Sequence, residues 1–113
     1  MKILTLMFLL FSLHAESPLY FIQIKSYEDQ AKALEFVKSI ESEGIKPLID
    51  IANLKEKGIW ARVMFGGFKS KQLAEEFVVN NKLKSQFPDL WIKQIPKEKL
   101  NLYKFAEESV DGN

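Results

Sequence analysis

The side chains that could do chemistry in this 113-residue chain point to holding a ligand rather than transforming one. The single histidine, His14, lies in an apolar N-terminal segment. The rest of the chain therefore lacks the usual general base. There is no cysteine, and without Cys or His donors no zinc set can be assembled; no cofactor is implied. Glu75-Glu76 and Glu107-Glu108 are adjacent pairs, and neighbours on a helix diverge instead of facing each other as an acid and a base. Gly66-Gly67 reads as a turn and not as a phosphate-binding loop. An enzyme is thus not expected. What remains is a set suited to recognition. Gln23 carries a donor and an acceptor, Arg62 a rigid donor fork, and Trp60 a flat face with one N–H.

These residues lie on segments with a clear layout. Trp60-Ala-Arg-Val-Met-Phe-Gly-Gly-Phe68 alternates in character, turns at two glycines, and leads into a helical pattern at Ser70. The same layout occurs 41 positions earlier: Ile22 lies over Val63, Tyr27 over Phe68, Ala33 over Ala74, and Phe36-Val37 over Phe77-Val78. A shared offset through strand, turn and helix marks a duplicated strand-helix-strand unit.

In chain order, Tyr20 to Lys25 reads as the first strand, with Tyr20, Ile22 and Ile24 on one face and Phe21, Gln23 and Lys25 on the other. Ser26 and Asp29 are both candidate caps of the helix that follows. Its buried stripe is Ala33, Phe36, Val37 and Ile40, and Gly44 ends it. Pro47 to Ala52 is the second strand; opening on a residue without an N–H, it belongs at a sheet edge. Ile49 and Ile51 point inward, Leu48 and Asp50 outward. The third strand divides Ala61, Val63 and Phe65 from Trp60, Arg62 and Met64. Ser70 caps a second helix with Ala74, Phe77, Val78 and Leu83 as its stripe. Leu90 to Ile95 is the fourth strand, and both Leu90/Ile92 and Trp91/Ile95 qualify as its inward set. Residues 96–113 form a tail, apolar at Leu100, Leu102, Tyr103 and Phe105.

The order βαββαβ defines an α+β split-βαβ fold (ferredoxin-like or RNP-like): a four-stranded antiparallel sheet with two helices on one face. Right-handed crossovers place strands one and three in the centre. The opposite face, with Phe21, Gln23, Lys25, Trp60, Arg62 and Met64, is left open unless the tail covers it.

The first residues read as an export signal over 1–15: Lys2, an apolar run from Ile3 to Leu13, and a small residue at Ala15. The run is shorter than the roughly 20 residues of a membrane-spanning helix, so no membrane anchor is expected after cleavage. No cysteine follows it, which excludes a bacterial lipoprotein. Residues 16–18 are a lead-in. Loss of Lys2 leaves 15 basic against 15 acidic residues, and a neutral chain lacks the cationic excess that nucleic-acid binding requires.

Phe21-Ile-Gln-Ile-Lys-Ser-Tyr27 and Ala61-Arg-Val-Met-Phe-Gly-Gly-Phe68 resemble, in the right order, the two signatures of the SPOR domain, the sporulation-related repeat. The resemblance spans about residues 19–95. It implies binding of peptidoglycan glycan strands stripped of their stem peptides, as found at the division septum, by an exported protein of the bacterial periplasm and cell envelope. It places Gln23 and Ser26 among the contacts, with Trp60 and Trp91 as sheet aromatics. Together with Arg62 and Met64 they form the candidate glycan site. A naked glycan offers hydroxyls, N-acetyl amides and apolar C–H faces, which an aromatic platform with fixed donors and acceptors would match. Other roles stand beside these. Gln23 can be merely solvated, Ser26 a helix cap, Arg62 half of a surface ion pair, and the apolar residues a seat for the tail. The alternative function is an envelope protein-interaction module, with divisome or other envelope proteins as partners, using the same sheet or an edge strand.

Overall fold

A computed structural model describes residues 17–41 and 46–103. The proposed signal segment, Gly44 and Phe105 lie outside the described residues. Strand β1 (Leu19–Tyr27) leads into helix α1 (Gln30–Glu41) and strand β2 (Leu48–Asn53). A short 3-10 turn (Lys55–Lys57) then precedes β3 (Ile59–Phe68). Helix α2 (Lys71–Asn80), a single turn α3 (Leu83–Gln86) and strand β4 (Trp91–Ile95) complete the second half. The sheet is antiparallel with order β2-β3-β1-β4, so the duplicated strands β1 and β3 are central. The fold is the α+β, ferredoxin-like arrangement that the alternation of elements implied.

The repeat extends to the helix starts. Asp29 caps α1 by accepting the Ala31 N–H at 2.8 Å. Ser70, at the equivalent place, caps α2 by accepting the Leu73 N–H at 3.1 Å. Each cap satisfies an amide that has no partner inside its own helix. Asp29 therefore performs the capping, and Ser26 belongs to β1.

The main core lies between the sheet and the helices. Ile22, Ile24, Ile49, Ala61, Val63 and Phe65 from the sheet meet Ala33, Val37, Ala74 and Val78 from the helices. Leu83 joins this core from α3 and not as a continuation of α2, because Lys82 between them adopts φ 53°. Leu90 and Ile92 pack on the same side, while Trp91 is exposed and Ile95 is buried in a second cluster. This settles the inward face of β4.

The second cluster is on the other face. Phe21, Met64 and Ile95 are buried there with Leu19, Leu48 and Leu100 around them. The cover is the tail. After β4 the chain makes a 3-10 turn (Lys97–Lys99), lays Leu100 on the sheet, and reaches the outer edge of β2. There the Ile51 N–H donates to the Asn101 carbonyl and the Tyr103 N–H to the Ile49 carbonyl, both at 2.8 Å. The edge that Pro47 announced is thus closed by main-chain pairing, which removes a strand edge open to stray association.

Two irregularities in the central pair correct the sequence reading. Gly66 and Gly67 are not a turn: β3 runs through them to Phe68, which pairs with Tyr20, with a register shift between Tyr20 and Phe21. A Cβ on Gly66, whose φ is +148°, would stand 2.8 Å from the Tyr20 carbonyl oxygen and 2.7 Å from the Phe21 ring. Glycine is what lets β3 approach β1 this closely. The second shift lies between Gln23 and Lys25, where Ile24 is the extra residue of a β-bulge. Lys25 therefore does not share the face of Gln23; its ammonium lies 5.9 Å from the ring centre of Phe36 on α1.

Gly66→Ala is expected to lower stability by about 1–3 kcal/mol through a strained φ combined with backbone contact. Gly58→Ala, where φ is +89° but nothing lies within 4 Å of the added Cβ, should cost less. Urea denaturation of the two variants checks the order.

Candidate functional site

The face away from the helices has two unequal halves. At the end carrying Leu19, Phe21, Leu48, Met64 and Ile95, the tail excludes water. At the other end lie Gln23 and Ser26 of β1, Trp60 and Arg62 of β3, and Trp91 of β4, while Lys93, opposite Phe21 at the boundary, reaches Gln23 with its ammonium. Cross-strand pairing explains the grouping, because residues directly opposite in an antiparallel sheet point to the same side. Asp50, Arg62 and Ser26 form one row; Leu48, Met64, Gln23 and Trp91 form the next. Simple alternation from Gln23 would send Ser26 to the helix side. The bulge at Ile24 brings it back beside Arg62.

Five of the six candidate residues are thus brought together at the accessible end. Met64 is the exception: it is 0 % exposed, packed with Phe21 and Ile95 next to Leu100, and has no surface to offer a ligand. Its place in the alternation was read correctly, but the tail makes that place a core. Trp91 is 53 % exposed. Trp60 is half-buried, and its indole N–H is not available as a donor, since the Lys57 carbonyl accepts it at 2.8 Å. That bond instead fixes the ring against the 3-10 turn, which limits the ordering cost of using it as a platform.

The polar groups form a connected set. The Gln23 Oε1 accepts a hydrogen bond from the Lys93 Nζ at 2.7 Å, leaving the Gln23 amide as donor. The Lys93 ammonium also lies 4.9 Å from the Trp91 ring centre, in cation–π range. Arg62 pairs with Asp50, as its alternative role implied, with Nε 3.7 Å from Oδ2. At that length the ion pair carries no hydrogen bond, and the buried Arg62 Nε has no hydrogen-bond partner. Asp50 is only 2 % exposed, and its Oδ1 accepts the Asn101 N–H at 2.8 Å. Lys93 and Asp50 were not among the candidate residues. The signal for Lys93 was the alternation Trp91-Lys93-Ile95, which could be used only once the inward set of β4 was known.

Burial, and then the nearby Arg62 cation, lower the Lys93 ammonium from its ordinary 10.5 to about 8, against an opposing pull from Asp50. A groove of about 550 Å³ lies elsewhere, with Val78 and Val79 of α2 and Leu90 and Ile92 among its lining. It is mostly apolar and holds none of the candidate residues. Among the described residues no cluster of His, Cys, Asp or Glu could hold a metal ion, and no helix is long and apolar enough to cross a membrane.

The α+β sheet, with one half-face open and bearing aromatics and held polar groups, is of the ferredoxin-like class. The SPOR domain family model matches residues 16–94, and the chain belongs to that family. SPOR domains are in general peptidoglycan-binding modules and occur in bacterial envelope and division proteins. The chain has no significant match among curated proteins or among solved structures.

Two outcomes follow from the electrostatics. Folding lowers the Lys93 pKa, so the unfolded chain holds more protons between about pH 8 and 10.5. The charged ammonium then costs stability in full below pH 8, and the cost fades as pH rises to 10.5. Lys93→Met should therefore be more stable than the parent at pH 6–7, with the difference vanishing near pH 10.5, as read by thermal unfolding across pH. Asp50→Ala should cost about 1.5–3 kcal/mol by removing a charge-assisted acceptor from the tail, measured by urea denaturation.

Proposed function

We propose that this chain is a non-catalytic peptidoglycan-binding module that holds stem-peptide-free glycan strands on the open half of its sheet. Gln23, Ser26, Trp60, Arg62 and Trp91 are its contacts. The observation that carries this reading is the way the tail divides the face: it seals Phe21 and Met64 and leaves the aromatic and polar residues accessible. Stacking on a sugar's C–H face needs a flat, held ring, and Trp60 is held by Lys57. Hydroxyls and N-acetyl amides need fixed donors and acceptors, which the Gln23 amide, the Ser26 hydroxyl and the Arg62 guanidinium supply. Export through the N-terminal segment would deliver the module to the periplasm and cell envelope, where stripped strands collect at the septum.

A second reading, an interaction module for divisome or other envelope proteins, has one observation in its favour. The outer edge of β4 carries no strand among the described residues, whereas the edge of β2 is closed by Asn101 to Tyr103. A stable co-purifying envelope protein that is lost when β4 is altered would support it.

Co-sedimentation with sacculi, before and after amidase removal of the stem peptides, tests the main reading. Amidase treatment should raise binding. Trp60→Ala and Gln23→Ala should each weaken it about tenfold or more while leaving the circular dichroism spectrum intact, consistent with about 1–3 kcal/mol for loss of a stacked aromatic or a charge-linked hydrogen bond. Retention unchanged in both variants would refute the site.

A further inference from the structure

We propose that Lys93 and Arg62 together recognise a carboxylate on the bound glycan, the one set free when a stem peptide is cut from its sugar, and so select stripped strands by charge. The proposal rests on the glycan reading above and deepens it. A stem peptide is joined to the sugar's acid side chain through an amide. Hydrolysis of that amide sends the amine away with the peptide and leaves a carboxylate on the strand. Stripping therefore does more than remove bulk: it converts a neutral group into an anion at each site of cleavage.

The open half of the face is built to meet such an anion. Among the described residues it carries the cations Arg62 and Lys93 and the carboxylate Asp50, which is already committed. The Asp50 Oδ1 is occupied by the Asn101 N–H, and its Oδ2 stands 3.7 Å from Arg62 Nε, beyond hydrogen-bond reach. Arg62 Nε is itself buried, so a ligand would meet Arg62 through the 24 % of its side chain that is exposed. Lys93 donates once, to Gln23 Oε1, and its position is fixed further by the Trp91 ring. An ammonium has three donors, so others remain for a ligand. Among the described residues of this group one positive charge is in excess, between a residue that would bind an N-acetyl amide and a ring that would stack on a sugar.

A structural role for Lys93 explains less. Arg62, not Lys93, makes the ion pair with Asp50. The lowered pKa of Lys93 marks an ammonium that folding does not favour. A side chain held at a cost to stability, on an accessible binding face, fits selection for binding. The groups that face it are Arg62 and Asp50, with Gln23 and Trp91 in contact.

The experiment compares amidase-stripped sacculi in two forms: one with carboxylates free, the other with them converted to primary amides by carbodiimide and ammonia. The purified chain should bind the free form at least tenfold more tightly. Lys93→Gln should abolish most of that preference while still binding both forms. Raising the pH from 7 to 9.5 should weaken binding to the free form and spare the amide form, because Lys93 loses its proton across that range. Strong and equal binding of the parent chain to both forms would overturn the carboxylate proposal and leave the glycan reading standing. Binding to neither would overturn both. The comparison of the two forms with the parent chain decides the matter even if a variant fails to fold.

Discussion

Asp50 is a carboxylate removed from water, and its two oxygens serve two different elements. One receives the Asn101 N–H and ties the tail to the outer edge of β2; the other faces Arg62 in the neighbouring strand. A charge buried at that depth is tolerated only when paired and hydrogen-bonded. The tail supplies the hydrogen bond and Arg62 the opposite charge. Much of the molecule's organisation follows from this arrangement. The tail is anchored over one end of the sheet, the apolar residues there become a second core, and Arg62 is held across the boundary between the sealed half and the open one.

That boundary gives one sheet two functions. In the sealed half, Phe21 and Met64 add buried apolar area, each side chain worth about 1.5–3 kcal/mol when fully buried. This matters in a small domain with no disulfide to assist it. In the open half, packing is given up and side chains stand where a ligand can reach them. The polar set there is not loosely solvated: Gln23, Lys93 and Trp91 are linked, and Trp60 is pinned by its own indole N–H. Preorganisation of this kind reduces what binding must spend on ordering.

The duplicated halves share helix caps at the same offset, Asp29 and Ser70, and similar apolar stripes, so the helix side of the molecule is nearly repetitive. The other side is not. The bulge at Ile24 lies in the first half, the glycine pair at 66 and 67 in the second, and the tail follows only the second. Membership of the SPOR family fits this division. The repeated side carries the fold, and the side without repetition carries the residues proposed to meet the glycan.

The order of elements, the central place of β1 and β3 and the helix-facing residues were legible in the chain alone. Each depends on local periodicity, capping chemistry or composition, which act over a few residues. The positions of Ser26 and Lys25 were not, because a single extra residue in a strand reverses the facing of all that follows it, and alternation cannot reveal where the insertion falls. The burial of Met64, the occupation of the Trp60 N–H and the role of Lys93 were equally hidden. Each depends on a segment distant in sequence arriving nearby in space: residues 100–103 laid across the sheet, the Lys57 carbonyl turned toward an indole, β4 set beside β1. Periodicity assigned the faces of the sheet; only the path of the tail decided which part of the outer face stayed in water.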